Sequence, residues 1–290
     1  MPRPIQPINV PLPILGHARY AAAGDIRGSS RPSGKGFTGD DILLFWTILD
    51  GARSISGERL ILLQPRVKAA TGREHLPRVE ASLERLRGTD LMLNNNVMPC
   101  IKGWTREGST WLIDIDRRVI ALVEEALNAK AMASITPSAV RGLSSRYSMA
   151  LFGRWAAWEA SDYPSRDIDF RTTGGALPAY NVRVPLDRLP DVFGYYDMLR
   201  PSEIQRLLAT ASATCPLQRE LYKAGFAVDT YLERDGIDQR VRGLDIWLSR
   251  ITLDGGLGPL NARARHLGIA SNAAREARDR NLIKSDRSDP

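Results

Sequence analysis

The ordered hydrophobic pattern begins at Thr38. Thr38-Gly39-Asp40-Asp41 resembles a capping box with Asp in the Glu role, and Ile42, Phe45, Trp46 and Leu49 follow at helical spacing over about 40–50. Arg59-Leu60-Ile61-Leu62-Leu63 is short and apolar between polar loops, which predicts a strand. A short helix is expected from Gln64 to Ala70, ended by Thr71-Gly72, and a second from about His75 to Arg87. On that second helix Leu76, Val79, Leu83 and Leu86 form the inward face, and Arg78, Ser82 and Arg85 the outward one. Leu91-Met92-Leu93 and Trp111 to Ile115 alternate around a polar stretch holding Lys102, Arg106 and Gly108, as in one hairpin with a long tip. Asp116 to Asn128 closes the series as a helix with Ile120, Val123 and Leu127 inward.

The pattern then repeats. Residues 137–160 read as one long helix with Leu143, Tyr147, Leu151 and Trp155 every fourth position. Val182-Arg183-Val184 reads as a strand, Leu186 to Phe193 as a short helix ended by Gly194, and about 201–224 as a helical stretch interrupted at Pro216. Its inward face is Ile204, Leu207, Leu208 and Ala211, with Ser202, Arg206 and Thr210 outside. Phe226 to Leu232 and Val241 to Ile251 alternate as paired strands around a turn at Glu233 to Gly236. Helix, strand, helix, turn, helix and hairpin therefore occur twice. The fold class expected is α+β, with two tandem winged-helix domains joined by a long helix. The division is 1–36 as a flexible Pro/Gly-rich arm, 37–135 as the first winged helix, 136–252 as the second, and 253–290 as a mobile or partly helical tail.

Composition narrows the chemistry. Of 290 residues, 43% are hydrophobic and 25% charged, which suits packed soluble domains. No stretch approaches the roughly 18 apolar residues of a membrane span, and the N-terminus does not resemble a secretion signal. Cys100 and Cys215 are too few for a disulfide framework, and both are expected as reduced thiols in a cytoplasm. His17, His75 and His266 lie far apart, so no metal site and no cofactor is expected. The same spacing removes a DNA-nicking enzyme, which needs a His-hydrophobic-His metal pair and a nucleophilic Tyr. Gly34-Lys35-Gly36 lacks the spacing of a phosphate-binding loop. No enzyme is expected.

A net charge of +7, from 40 Lys and Arg against 33 Asp and Glu, suits a polyanionic partner. In a winged helix the second helix of the turn enters the major groove, where Arg pairs with guanine, while wing residues hold phosphates. First-domain candidates are therefore Arg73, His75 at the helix start, Arg78, Ser82 and Arg85. Second-domain candidates are Arg206, Thr210, Arg219, Lys223 and, beside the wing, Arg240 and Arg242.

Three patches carry a family resemblance. Leu143 to Phe152 is similar to an "L-x-S-x-Y-x-x-x-L-Y" helix, Cys215 to Leu221 to an "L-x-P-A-x-x-E-I" segment, and Val228 to Trp247 to a second-wing hairpin. Together they resemble the iteron-binding plasmid replication initiators, over roughly 38–251. The resemblance implies a protein that binds repeated origin sites on double-stranded DNA, helps open the origin and recruits the host initiator and replicative helicase. It also implies a monomer–dimer equilibrium, self-repression by the dimer, and a bacterial cytoplasm. The departures are Phe152 in place of Tyr, and Ala211 to Thr214 where the family carries basic residues. The second departure shifts expected sequence reading toward the first domain. A winged-helix transcription regulator without a replication role is the alternative. The edge of the hairpin between Leu91 and Ile115 is the expected dimer surface.

Overall fold

The structure, a computed structural model, describes residues 6–22, 37–55, 57–72, 75–161, 179–194, 220–221, 224, 226–234 and 241–250. The chain divides into two compact units: Met1–Asp162 with Asp187–Leu199, and Tyr163–Leu186 with Arg200–Pro290. The described elements are helices and small antiparallel sheets, an α+β arrangement.

The first unit opens with strand β1 (Ile8–Pro11), helix α1 (Leu12–His17) and strand β2 (Arg19–Ala22). This overturns the reading of residues 1–36 as an arm throughout. Pro13 stands in the first turn of α1, where a missing N–H breaks no helical bond. Ile8, Val10, Ile14, Leu15, Ala18 and Tyr20 are all buried. Arg154, from a distant helix, fastens the segment: its guanidinium donates to the carbonyls of Leu15 (2.6 Å), Ala18 (2.7 Å) and Asp191 (2.8 Å).

Helix α2 (Gly39–Ala52) is the centre of this unit. Every residue from Asp41 to Leu49 is buried, Leu43, Leu44 and Ile48 included, so the helix has no solvent stripe. Its start is the expected capping arrangement, with Thr38 N donating to Asp41 Oδ2 at 2.8 Å. Gly39 is required by close approach, because a Cβ there would stand 2.1 Å from the Leu143 carbonyl oxygen.

Strand β3 (Arg59–Leu63), helix α3 (Gln64–Thr71) and helix α4 (Leu76–Arg87) follow as expected. The single long-tipped hairpin is corrected to two. β4 (Thr89–Leu93) pairs with β5 (Asn96–Pro99), and β6 (Gly103–Glu107) with β7 (Thr110–Asp114). Asn94 and Asn95, with φ of 49° and 65°, make the tight turn of the first, a pair of residues tolerant of that conformation. The sheets are ordered β2-β4-β5 and β3-β7-β6. Helix α5 (Arg117–Asn128) begins at Asp116, whose side chain accepts from Arg118 N at 2.9 Å, and strand β8 (Met132–Ile135) pairs with β1.

The expected helix over 137–160 is two helices, α6 (Pro137–Val140) and α7 (Arg146–Ala160). Gly142 to Ser144 turn between them, and Ser145 caps α7 by accepting from Tyr147 N. Residues Tyr147 to Ala156 are buried, with the Phe152 ring against Trp46 of α2. Helix α7 thus belongs to the first unit and does not open the second. Helix α8 (Leu189–Phe193), ended by Gly194, also belongs to the first. The second unit's described part is the sheet of β9 (Ala179–Pro185), β10 (Phe226–Arg234) and β11 (Val241–Arg250), ordered β10-β11-β9. The expected helix over 201–224 lies outside the described residues except for Glu220, Leu221 and Ala224.

Two substitutions test this account. Arg154→Ala leaves buried carbonyls at residues 15, 18 and 191 without their donor, and should cost about 3 kcal/mol of stability. It should also raise amide exchange over residues 8–18; unchanged exchange there would mean that the segment is held by other means. At α5, the Arg118 guanidinium holds the Asp116 carboxyl below its ordinary range. A depressed carboxylate stabilises fully above its unfolded value near pH 4, and the effect fades as pH falls through the lower folded value. Asp116→Ala should therefore cost about 1 kcal/mol at neutral pH, with the difference from the parent closing in acid, read by urea unfolding.

Candidate nucleic-acid interface

Helices α3 and α4 follow one another in the chain, and both pack against α2. Helix α3 ends at Gly72, whose φ of 71° is the left-handed conformation that stops a helix cleanly. Arg141 reinforces this end, its guanidinium donating to the carbonyls of Ala69 and Ala70. His75 is the exposed N-cap position of α4. Arg73 lies outside the described residues.

Helix α4 buries Val79, Ser82, Leu83 and Leu86, with Leu76 half-buried. Its solvent face is Pro77, Arg78, Ala81 and Glu84, with Arg87 at the end. Arg78 stands where the sequence places it. Ser82 and Arg85 do not. Ser82 is fully buried, and Arg85 is half-buried and turned onto the start of α2. There it grips Asp41 with both arms, Nε to Oδ2 at 2.9 Å and Nη2 to Oδ1 at 2.8 Å, and Nη2 also reaches Ser82 Oγ at 3.0 Å. The Asp41 carboxylate raises the Arg85 pKa, so its charge is committed inside the domain. Residues 78, 82 and 85 do share one stripe of α4, but the C-terminal part of that stripe leans on α2. The partner, forty-four residues upstream, is invisible to helical spacing.

The β6–β7 hairpin stands beside α4. Arg106 of β6 donates to Glu80 of α4 at 3.1 Å and to the Gly108 carbonyl at 2.8 Å, which ties the hairpin to the helix. Lys102 pairs with Glu58 and Arg59 with Asp114. The wing's base is thus laced by ion pairs. Sequence reasoning missed the exposed cations of α3, Arg66 and Lys68. Arg66 pairs with Asp50 at 2.6 Å.

In the second unit, Arg242 is exposed on β11 beside the irregularity at Glu233/Arg234. Arg206, Thr210, Arg219, Lys223 and Arg240 lie outside the described residues, as does Cys215. Cys100 is a free buried thiol, and burial pushes its pKa well up, which makes it a poor nucleophile. Among the described residues no group of His, Cys, Asp and Glu could hold a metal ion, and no helix is long and apolar enough to cross a membrane.

No family model matches this chain, and no curated protein matches it. Among solved structures, a crystal structure of selenomethionine derivatives of domains 2 and 3 of RctB is similar at 10% identity and a TM-score of 0.38. The match covers 74% of this chain and 82% of that one. A likeness of that size carries no argument about what this chain does.

The Asp41–Arg85 pair is testable apart from any ligand. Arg85→Ala should cost about 2 kcal/mol, because a fully buried carboxylate loses its partner; the figure falls below that of a wholly enclosed pair because Arg85 is partly solvated. The variant should weaken any DNA complex only through stability, alike for all sequences. Loss of preference at one base position, with unfolding unchanged, would return Arg85 to the reading face.

Proposed function

We propose that this chain is a sequence-specific double-stranded-DNA-binding protein of the replication-initiator kind, built on two winged helices. One observation carries the reading. In the first unit the strand ahead of the helix–turn–helix, β3, pairs with the last strand of the hairpin, giving β3-β7-β6. In the second unit the strand ahead of the 186–224 region, β9, pairs likewise with the last strand of its hairpin, giving β9-β11-β10. That strand order is one in which a wing flanks a reading helix; in the first unit α3 and α4 stand between the strand and the hairpin, while residues 201–219 of the second lie outside the described residues. Its occurrence twice in one basic chain suits a protein that reads two successive stretches of groove, which raises affinity through effective concentration.

On this reading the roles are distributed as follows. In the first unit the base-reading residue is Arg78, with His75 at the helix start. Ser82 and Arg85 are given to packing. A face of Pro77, Arg78, Ala81 and Glu84 offers a single cation, so the first unit supplies fewer base contacts than the sequence led one to expect. Sequence reading in the second unit is assigned to Arg206 and Thr210, and backbone contacts to Arg219, Lys223, Arg240 and Arg242. The replication role rests on the resemblance at 143–152, 215–221 and 228–247. With it come origin repeats, the host initiator and helicase as partners, a bacterial cytoplasm, and no catalytic residue or cofactor.

Selection from random duplexes with the full chain should enrich a motif longer than one groove face, and the motif should recur as direct repeats where the protein acts. Absence of any enriched motif would overturn the reading; a palindromic operator alone would reduce it to a transcription regulator. Arg78→Ala should cost about 1–3 kcal/mol at one base position. Arg242→Ala should weaken binding to specific and scrambled DNA alike and flatten the salt dependence by about one unit of slope.

A further inference from the structure

The turn that leaves α6 and leads into α7 touches the ends of two other helices. Val140 and Leu143, both without solvent exposure, anchor it in the core. Arg141 N donates to the Pro137 carbonyl at 3.1 Å and Leu143 N to that of Val140 at 2.9 Å, which closes the segment on itself. On one side it meets the start of α2, where Gly39 N donates to the Ser144 carbonyl at 2.7 Å. On the other it meets the end of α3. The half-buried Arg141 donates from Nε to the Ala70 carbonyl at 3.2 Å, and from Nη2 to the Ala69 carbonyl. Its side chain passes 3.5 Å from where a Cβ on Gly72 would stand.

The last carbonyls of a helix have no partner within it, and a guanidinium presents adjacent donors that can take two of them at once. A positive charge is favoured at that end by the helix dipole as well. Gly72 adds one backbone bond, from its N–H to the Lys68 carbonyl at 2.9 Å. Beyond it the chain reaches His75, whose side chain makes no capping bond at the start of α4. Where the near end of α4 begins therefore depends on where α3 stops. The far end of α4 is fixed by Arg85 on Asp41, at the start of α2. Both ends of α4 thus refer to one segment. Arg141 governs the near end through α3, and Ser144 governs the far end through Gly39 and the α2 start.

We propose that Arg141 is a positioning residue: it holds the end of α3, thereby the turn into α4, and so sets where Arg78 meets a base. The inference rests on the reading of α4 as the helix that enters the groove. An arginine must be held within about 0.5 Å of its productive place to pair with a guanine edge, so a loose turn reads poorly even with the arginine present. Arg141 acts through the protein, since its Nε and Nη2 are committed to carbonyls of α3. Helical spacing does not reveal it, because those carbonyls lie 71 and 72 positions upstream.

The test uses the full chain and three duplexes: the one the parent selects, the same duplex altered at the base pair that Arg78→Ala identifies, and a scrambled one. Arg141→Ala should lower the preference at that base pair about tenfold. Affinity for scrambled DNA should stay within about twofold, with the salt slope unchanged. In an Arg78→Ala background, Arg141→Ala should cost nothing further at that base pair, because the two residues act as one unit. Arg141→Lys keeps the charge without the fork and should fall between parent and Ala. Without DNA, Arg141→Ala should speed amide exchange at Gly72, Arg78 and Val79 by about tenfold or more, and leave Ile113 and Val119 as in the parent. Equal weakening on all three duplexes with a flatter salt slope would make Arg141 a phosphate contact and overturn the proposal. So would additive losses in the Arg78→Ala background, or unchanged exchange at Gly72. If the parent selects no duplex, the DNA reading falls and the placing of Arg78 falls with it; exchange at Gly72 then shows separately whether Arg141 holds the turn. Should Arg141→Ala fail to fold, Arg141→Lys and Arg141→Gln decide by the same comparisons.

Discussion

Helix α2 has no solvent face, and the rest of the first unit follows from that constraint. A helix buried on every side must satisfy its own ends, because no water reaches the orphan N–H groups of its first turn. Asp41 meets this need at the start of α2, and its carboxylate, itself without solvent exposure, then needs a cation. Arg85 supplies it from α4. One carboxylate thereby sets both the beginning of the central helix and the position of the helix that flanks the wing. Helix α7 covers another side of α2, and Arg154 on α7 in turn holds α1 and α8 through backbone carbonyls. The chain of dependence runs from a buried aliphatic helix, through a charge that burial makes costly, to the two arginines that hold the outer layers.

That chain explains what the sequence could and could not reveal. Strand β3, helices α3, α4 and α5, and the pairing of β10 with β11 were legible, because their periodicity and their caps at Gly72 and Asp116 are local. The β1–α1–β2 segment was not. Its proline density reads as a flexible arm, and the residue that fixes it lies 139 positions away from Leu15. The break between α6 and α7 was overridden by a persuasive four-residue stripe, although Gly142 and Ser145 marked it. The reading face of α4 was half legible: spacing finds the stripe of 78, 82 and 85, but only tertiary contact decides which end of it meets solvent. Eleven DNA contacts were expected, and five of those residues are described: Ser82 and Arg85 are internal to the first unit, His75 and Arg78 are exposed on it, and Arg242 is exposed in the second. The residues that contribute charge to folding and those that contribute it to binding are the same types in the same pattern.

The ion pairs around the wing bear on how a basic chain presents itself. Arg59, Lys102 and Arg106 are each engaged by a carboxylate at the base of the hairpin. Exposed pairs of this kind contribute little to stability, but they fix side chains and neutralise them. A net charge of +7 is therefore a poor map of where a polyanion would sit on the first unit. Lys68 on α3 and Arg78 on α4 are exposed on either side of the turn between those helices.

The two edge strands of the first unit's β3-β7-β6 sheet differ in kind. In a sheet of three strands the wing occupies one edge, and the strand order leaves β3 as the other. Strand β3 carries no proline, while β6 at the other edge carries Arg106 and Glu107. The asymmetry lies in the sequence itself: Arg59-Leu60-Ile61-Leu62-Leu63 is nearly all aliphatic, whereas Gly103 to Glu107 is polar at most positions. A strand buried on one face needs only alternate aliphatics, and here Leu60 and Leu62 meet that need. Ile61 and Leu63 exceed what folding of one copy requires.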